Sequence, residues 1–166
     1  MKSMSPIGIL AAMAIGLTVG LGVFTFGYAK GYAYLSNDPA PCANCHIMSE
    51  HYAAWVKSSH RAVAVCNDCH TPHTFVGKYV TKARNGFWHS FYFTTGRYPD
   101  PLRITARNRR VTEDACRFCH GEITAAIDPA GQARGSSGTA VAVRSAHSGE
   151  SASCIRCHAY VGHLVQ

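Results

Sequence analysis

Every cysteine of this chain lies in a C-x-x-C-H pentapeptide, and this repeat strongly limits what the chain can fold into. Four copies account for all eight cysteines. The spacing is typical of haem c attachment, because two thiols form thioethers to one porphyrin and the following histidine can bind its iron. The sequence therefore predicts four haem c groups, with thioethers at Cys42, Cys45, Cys66, Cys69, Cys116, Cys119, Cys154 and Cys157, and motif histidines at His46, His70, His120 and His158.

Other uses of paired cysteines fit the pattern less well. Structural zinc sites also use C-x-x-C pairs, but zinc does not require a histidine directly after all four of them. Thioredoxin-like chemistry would need one such unit in a βαβ setting. A disulfide framework would not produce four copies of one pentapeptide. Haem attachment is the reading that explains the whole repeat.

The first thirty residues differ from the rest of the chain. No charged residue lies between Lys2 and Lys30, and Pro6 to Ala29 is dominated by apolar residues. About 20 apolar residues suffice for a helix to cross a bilayer. A cleaved signal peptide is the alternative, but its apolar region usually covers only 7–15 residues before a small-residue cleavage site. We therefore predict an uncleaved anchor at residues 1–30 and a cytochrome domain at residues 31–166.

The orientation of the anchor follows from two considerations. Lys2 marks the cytoplasmic end by the positive-inside rule. Haem attachment takes place outside the bacterial cytoplasm, so the chain from Lys30 onward should face the periplasm. These points predict a single-pass protein of the bacterial inner membrane with a periplasmic haem domain.

The remaining residues are few for four haems. A chain of this length cannot build a sizeable core from its own side chains, so the porphyrins should form most of the core. We predict a mainly α, loop-rich multihaem cytochrome c domain with helices at 49–62, 75–93 and 112–119. A turn is expected at 94–101, which contains Gly96, Pro99 and Pro101, and a flexible loop at 130–138.

The formal net charge of +7 is concentrated in two stretches. Their basic residues are Lys78, Lys82 and Arg84, and then Arg97, Arg103, Arg107, Arg109 and Arg110. They could form a solvated face, neutralise haem propionates, or contact lipid headgroups or an acidic partner protein. Nucleic acid is excluded as a partner for a periplasmic haem protein.

Six of the ten histidines lie outside the motifs and are candidates for the second axial ligand of a low-spin haem. His60 and His147 are the leading candidates, because each follows a serine-rich step and precedes a motif by a similar short distance. His163 is the next candidate after these two. His73 is too close to His70 to reach across the same iron, but it could reach another. His51 and His89 are expected to be ordinary polar residues or contacts of a quinone.

Met48 lies two residues beyond His46, giving the pattern C-x-x-C-H-x-M. On spacing alone, this methionine would be a packing residue, because methionine commonly fills gaps in protein interiors.

The sequence resembles the tetrahaem quinol-dehydrogenase cytochromes of the NapC/NirT family, and among them the small membrane-anchored subunits of cytochrome c nitrite reductases. The resemblance covers nearly the whole chain. It rests on the N-terminal anchor, on the four motifs, and on the local sequences Cys42-Ala43-Asn44-Cys45-His46-Ile47-Met48, Ser58-Ser59-His60-Arg61, Cys66-Asn67-Asp68-Cys69-His70-Thr71-Pro72-His73 and Cys157-His158 followed by His163.

The resemblance implies an activity and its partners. Menaquinol would be oxidised near the first haem at the membrane surface, and electrons would pass to a periplasmic multihaem nitrite reductase that forms ammonia. The chain would then be a quinol dehydrogenase, and the electron-transfer subunit of a hetero-oligomer.

The resemblance also assigns site residues. It implies that Met48, in place of His46, binds the first iron. It places a lysine and an acidic residue seven apart at the quinol site, which align best with Lys78 and Asn85. Asn85 departs from the expected aspartate, and an amide cannot accept a proton as a carboxylate does. Lys82 is the alternative for the lysine.

Two rival functions remain open from the sequence. The chain could be a membrane-tethered electron shuttle without a quinol site, which oxidation of a menaquinol analogue would exclude. Alternatively, an open iron position could let the haems themselves reduce a small molecule, which activity of the isolated chain on nitrite or hydroxylamine would reveal.

Overall fold

The computed structural model describes residues 5–128 and 153–163. The chain divides into two compact units, Met1–Ser36 and Asn37–Gln166. The loop predicted at 130–138 lies outside the described residues, as does His147.

The first unit consists mainly of one apolar helix, α1, which spans Pro6–Tyr28. The N-terminus of this helix is stabilised by a cap: the Ser5 hydroxyl accepts a hydrogen bond from the Gly8 amide at 3.2 Å, and Pro6 occupies the first turn. Its 23 residues have a mean hydropathy of 2.3 in their most apolar window, and they are long and apolar enough to cross a membrane. A short 3₁₀ segment, Gly31–Leu35, follows it.

The second unit is built from short helices and connecting segments. Its α-helices are α2 (Ser49–Val56), α3 (Cys66–His70), α4 (Phe75–Thr95), α5 (Ala106–Cys119), α6 (Gly121–Ile127) and α7 (Cys154–Cys157), and its 3₁₀ segments are Ala40–Ala43, His46–Met48 and Ser59–Ala62. Residues 5–128 and 153–163 contain no β-strand. The prediction of a mainly α, loop-rich cytochrome domain with one N-terminal apolar helix is confirmed.

Three predicted helix boundaries differ from the structure. The helix expected at 49–62 ends at Val56, because Ser58 has an extended backbone. Helix α4 continues through Thr95 into the expected turn, and Gly96 then ends it with a φ of 65°. Helix α5 begins six residues before the expected Thr112, because the Thr105 hydroxyl caps it by accepting from the Asn108 amide at 3.3 Å.

The interior of the second unit contains few apolar side chains. Helix α5 packs against α3, α6 and α7. Within the described part of the chain, Ala115 and Pro41 are the nonpolar residues that are buried, whereas the polar buried residues are Thr71, Thr81, Glu113, Arg117 and Thr124. This pattern fits a polypeptide that wraps a large cofactor and does not form a core of its own.

Candidate haem and quinol sites

The haem motifs lie next to one another in the order in which they occur along the chain. The Cys42 and Cys66 thiols, from the first and second motifs, share a hydrogen bond. Cys69 of the second motif lies within electrostatic range of Cys116 and Cys119 of the third. Cys116 in turn is an electrostatic neighbour of Cys154 in the fourth. All eight thiols are free, and the four cysteine pairs lie next to one another.

The first motif differs from the others in backbone conformation. The second motif coincides with α3, the third ends α5, and the fourth coincides with α7. In the first motif, by contrast, Cys45 is extended, with a ψ of 124°, and separates two 3₁₀ segments. His46 is exposed and Met48 is half-buried. The histidine of the first motif therefore begins a separate 3₁₀ segment, whereas His70 lies at the end of α3 and the other two motif histidines directly follow α5 and α7.

His60 lies beside the histidine of the third motif. The ring centroids of His60 and His120 are 6.1 Å apart. Two histidine side chains this close could both serve as ligands of one haem iron. His60 Nδ1 also contacts the Val161 carbonyl oxygen at 3.1 Å. A carbonyl oxygen can only accept, so this contact places the proton on Nδ1 and leaves Nε2 able to bind a metal.

His163 lies beside the histidine of the second motif. Its ring centroid is 6.0 Å from that of His70, with the ring planes 11° apart. His51 is 4.9 Å from His163. Its position in this histidine cluster was not anticipated, because the contact joins residues more than a hundred positions apart in the sequence. His73 instead stacks on Phe118, inside the third motif, at 4.0 Å.

A group of polar residues lies near the first and second motifs. The Lys78 ammonium donates a hydrogen bond to Asn37 Oδ1, which also accepts from Asn67 at 3.3 Å. Lys82 is partly buried, and this burial together with the nearby charge of Lys78 lowers its pKa. Asn85, which was aligned with an acidic residue, is half-buried one turn beyond Thr81 on the same helix.

The pKa of the Cys42 thiol indicates which charged side chains lie near the first motif. Its hydrogen bond with Cys66 is the main reason that its pKa is lowered to about 7, against the opposing effect of burial. Lys82 lowers this pKa further, and Asp38 raises it. Lys82 and the Asp38 carboxylate therefore both lie near the first attachment site. Asp38 was missed in the sequence because a single acidic residue before a motif carries no signal of its own.

A buried carboxylate joins the third and fourth motifs. Glu113 accepts hydrogen bonds from the Ser153 hydroxyl at 2.6 Å and from the Cys154 amide at 2.8 Å. Arg117, also buried, lies 3.7 Å from Glu113 and 3.1 Å from Asp128. Burial alone would raise the pKa of Glu113, but the hydrogen bonds it accepts outweigh that effect and lower it. Glu113 therefore fixes the start of α7 against α5.

Replacing this carboxylate should destabilise the domain. We expect Glu113→Gln to lower the free energy of unfolding by about 2–4 kcal/mol, because the NH₂ group of the new amide would face hydrogen-bond donors and because Arg117 would lose one of its two carboxylate neighbours. Denaturant unfolding of the haem-loaded protein, followed by far-ultraviolet circular dichroism, measures the change. Glu122→Gln, at an exposed position on α6, should change stability by no more than about 0.5 kcal/mol. Equal effects of the two variants would contradict the assignment.

The residues present fit haem c. Arg107 Nη1 is buried and has no hydrogen-bond partner among the described residues, and the same holds for the hydroxyls of Ser58 and Thr81. Buried donors of this kind are normally paired, and the propionates of a porphyrin would supply acceptors. No group of three or more histidine, cysteine or acidic side chains in residues 5–128 and 153–163 is arranged to hold a single metal ion. Each motif supplies two thiols and one histidine, which is the donor set typical of a haem c.

Comparison with known proteins places these features in context. A model of the N-terminal region of the NapC/NirT cytochrome c family matches residues 3–166. The cytochrome c-type protein NrfH of Wolinella succinogenes is 37% identical over 116 residues, which cover 69% of this chain and 66% of that protein. The cytochrome c nitrite reductase subunit NrfH of Nitratidesulfovibrio vulgaris is 31% identical over 105 residues, covering 63% of this chain and 64% of that protein.

These matches span about two thirds of the length of the curated relatives. Among solved structures, the fold is similar to a chain of the cytochrome c nitrite reductase NrfHA complex bound to the inhibitor HQNO. The TM-score is 0.55 and the sequence identity 23%, and the alignment covers 94% of this chain and 90% of that chain. The structural match extends the similarity of fold over almost the whole molecule.

Proposed function

This chain belongs to the NapC/NirT cytochrome c family, and from that membership we propose that it is the quinol-oxidising subunit of a nitrite reductase complex. In this proposal, a membrane-anchored tetrahaem cytochrome oxidises menaquinol and passes the electrons to a periplasmic multihaem cytochrome c nitrite reductase. The nitrite-reductase subunits among its relatives support the choice of acceptor.

One observation carries the proposal. The eight motif thiols gather in chain order within one unit, and Lys82, which has Lys78 near it, lies beside the first motif. A single attachment site would suit a simple carrier, whereas a row of neighbouring sites suits transfer of electrons over a distance. Cations at one end of that row would suit a site where a quinol hydroxyl loses its proton.

The haem-binding roles are assigned residue by residue. The eight motif cysteines form the thioethers, and His70, His120 and His158 bind iron from their own motifs. His60 would hold the iron of the third motif together with His120, and His163 would hold that of the second motif together with His70, because the paired rings lie 6.1 and 6.0 Å apart. His147 remains the candidate for the fourth motif. Met48 is assigned to the first iron, with His46 as the alternative, and His73 remains a weaker candidate. When bound, haem c accepts and donates single electrons at its iron.

The quinol site is assigned to the polar group beside the first motif. Lys78 is held by Asn37, so its ammonium is positioned before any substrate arrives, and its charge favours a deprotonated quinol oxygen. Lys82 adds a second cation. Asn85 cannot accept the proton, and we assign that role to Asp38, whose carboxylate lies near Cys42. A carboxylate close to a bound hydroxyl is a suitable general base.

The location follows from the anchor. Helix α1 is proposed to cross the bacterial inner membrane once, with the haem domain in the periplasm. The quinol pool lies in that bilayer and the nitrite reductase lies outside it, so the chain would connect the two within a hetero-oligomer.

Intact mass tests the haem assignment. The purified full-length protein should exceed the mass of its polypeptide by four haems, because each motif supplies two thiols. The double variant Cys42→Ala/Cys45→Ala should carry three haems. The control variant Glu122→Gln, at an exposed position outside the motifs, should still carry four. Fewer adducts in the native protein, or zinc in place of iron, would overturn the assignment.

A further inference from the structure

Helix α5 carries an acidic side chain that lies between the third and fourth motifs. Glu113 precedes Cys116 by three residues, so the two are neighbours on one face of the helix. The same carboxylate accepts hydrogen bonds from the backbone amides of Cys154 at 2.8 Å and Ile155 at 3.4 Å. Burial is the main reason that the pKa of the Cys116 and Cys154 thiols is raised, and the charge of Glu113 raises both further. One carboxylate therefore acts electrostatically on two attachment sites.

The Glu113 carboxylate is ionised in the folded protein. Its side chain is buried, and a haem bound beside it can only bury it further. Hydrogen bonds from the Ser153 hydroxyl and from the amides at the start of α7 favour the charged form, and they lower the pKa of this carboxyl in spite of its burial. The guanidinium of Arg117, 3.7 Å away, acts in the same direction.

Glu113 belongs to a buried cluster of three charged side chains. Arg117 lies 3.7 Å from Glu113 and 3.1 Å from Asp128, so two carboxylates share one guanidinium. Together the three side chains carry one formal negative charge. Each is no more than 12% exposed, and solvent and salt therefore screen this charge only weakly.

A fixed negative charge lowers the reduction potential of a nearby haem. The ferric iron carries one more positive charge than the ferrous iron, so a carboxylate stabilises the oxidised form. Two unit charges about 10 Å apart, at an effective dielectric constant of about 20, change an equilibrium constant on the order of tenfold. For a one-electron couple, a tenfold change corresponds to about 59 mV.

We propose that Glu113 lowers the reduction potentials of the haems on the third and fourth motifs, in addition to fixing α7 against α5. The ion pairs with Arg117 and, through it, Asp128 hold the charge in place. The lowered potentials make these two haems stronger electron donors than they would be without the carboxylate. Their value in passing electrons to an acceptor rests on the proposed function, whereas the effect on the potentials does not.

Redox titration of the purified, haem-loaded full-length protein, followed by electron paramagnetic resonance, tests the proposal. Glu113→Gln should raise two of the four midpoint potentials, each by about 59 mV, which is a tenfold change in the equilibrium constant for reduction. The other two should not change. A loosened contact with α7 would act in the opposite direction, because water admitted to a haem stabilises its charged ferric form. The sign of the shift therefore distinguishes lost charge from lost packing.

Three further variants complete the experiment. Glu113→Asp shortens the side chain but keeps its charge, so all four midpoints should stay near their native values. Asp128→Asn removes one negative charge from the cluster on the far side of Arg117, and it should raise the same two midpoints by a smaller amount. Asp100→Asn removes a carboxylate from the exposed segment between α4 and α5 and should leave all four midpoints unchanged.

Intact mass first establishes how many haems each variant carries. Unchanged or lowered midpoints in Glu113→Gln would overturn the proposal, as would an equal rise in Glu113→Asp. If Glu113→Gln loses a haem, the decision passes to Asp128→Asn, in which unchanged midpoints would overturn the proposal. The titration uses neither quinol nor nitrite reductase, so its outcome is independent of whether the chain oxidises quinol.

Discussion

Lys78→Leu is expected to slow menaquinol oxidation by about 100-fold while the haem content stays intact. A cation beside a quinol hydroxyl stabilises the oxygen as it loses its proton, and loss of one such electrostatic contact costs a few kcal/mol in the transition state. The ammonium of Lys78 donates a hydrogen bond to Asn37, which precedes the first motif in the sequence. The measurement is the steady-state rate of oxidation of a menaquinol analogue by the full-length protein, with haem content determined by absorbance.

Two further variants locate the site. Asp38→Asn should also slow oxidation, since it removes the carboxylate assigned to accept the proton. Asn85→Ala should have little effect, because its amide has no proton-accepting role. If Lys78→Leu retains full activity and Lys82→Leu is impaired, the cation of the site is Lys82. Full activity in both lysine variants would contradict a quinol site beside the first motif.

Met48→His is expected to convert the first haem towards low-spin behaviour and to lower its reduction potential. Thioether sulfur is a weaker donor than imidazole and raises the potential of the haem it binds. The expected shift is on the order of 0.1 V, within the roughly 0.8 V range that axial ligands set. Redox titration and electron paramagnetic resonance of the purified protein measure both changes. The native protein should show one high-spin haem.

A second substitution separates binding from packing. Met48→Leu fills a similar volume without a sulfur ligand, so it should either bring His46 to the iron or lose the first haem. Four low-spin bis-histidine haems in the native protein would mean that Met48 only packs and that His46 is the ligand.

The sequence predicted the features that depend on local patterns. The apolar stretch that ends at Ala29 became a helix ending at Tyr28, because hydropathy and length determine such a segment. The helix expected at 75–93 was found at Phe75–Thr95. Helix α5 begins before the predicted residue 112 because the side chain of Thr105 caps it.

The features that sequence reasoning missed depend on contacts between distant residues. His60 meets the Val161 carbonyl across 101 positions, and Glu113 meets Ser153 across 40. Lys78 reaches Asn37 across 41 positions. The periodicity of apolar residues and the spacing of motifs carry no information on such pairs. These contacts depend on how the helices pack around the attachment sites. The ligand candidates could be named from the sequence, but their neighbours could not.

The most direct test of the central claim is anaerobic mixing of the reconstituted full-length protein with a menaquinol analogue while haem absorbance is recorded. We predict that the absorbance of reduced haem appears with the chain alone. It should then be lost on addition of nitrite only when a multihaem nitrite reductase is also present, with ammonia as the product. No reduction by the quinol would contradict the quinol-dehydrogenase function. Reoxidation by nitrite in the absence of the reductase would instead assign terminal reduction to this chain.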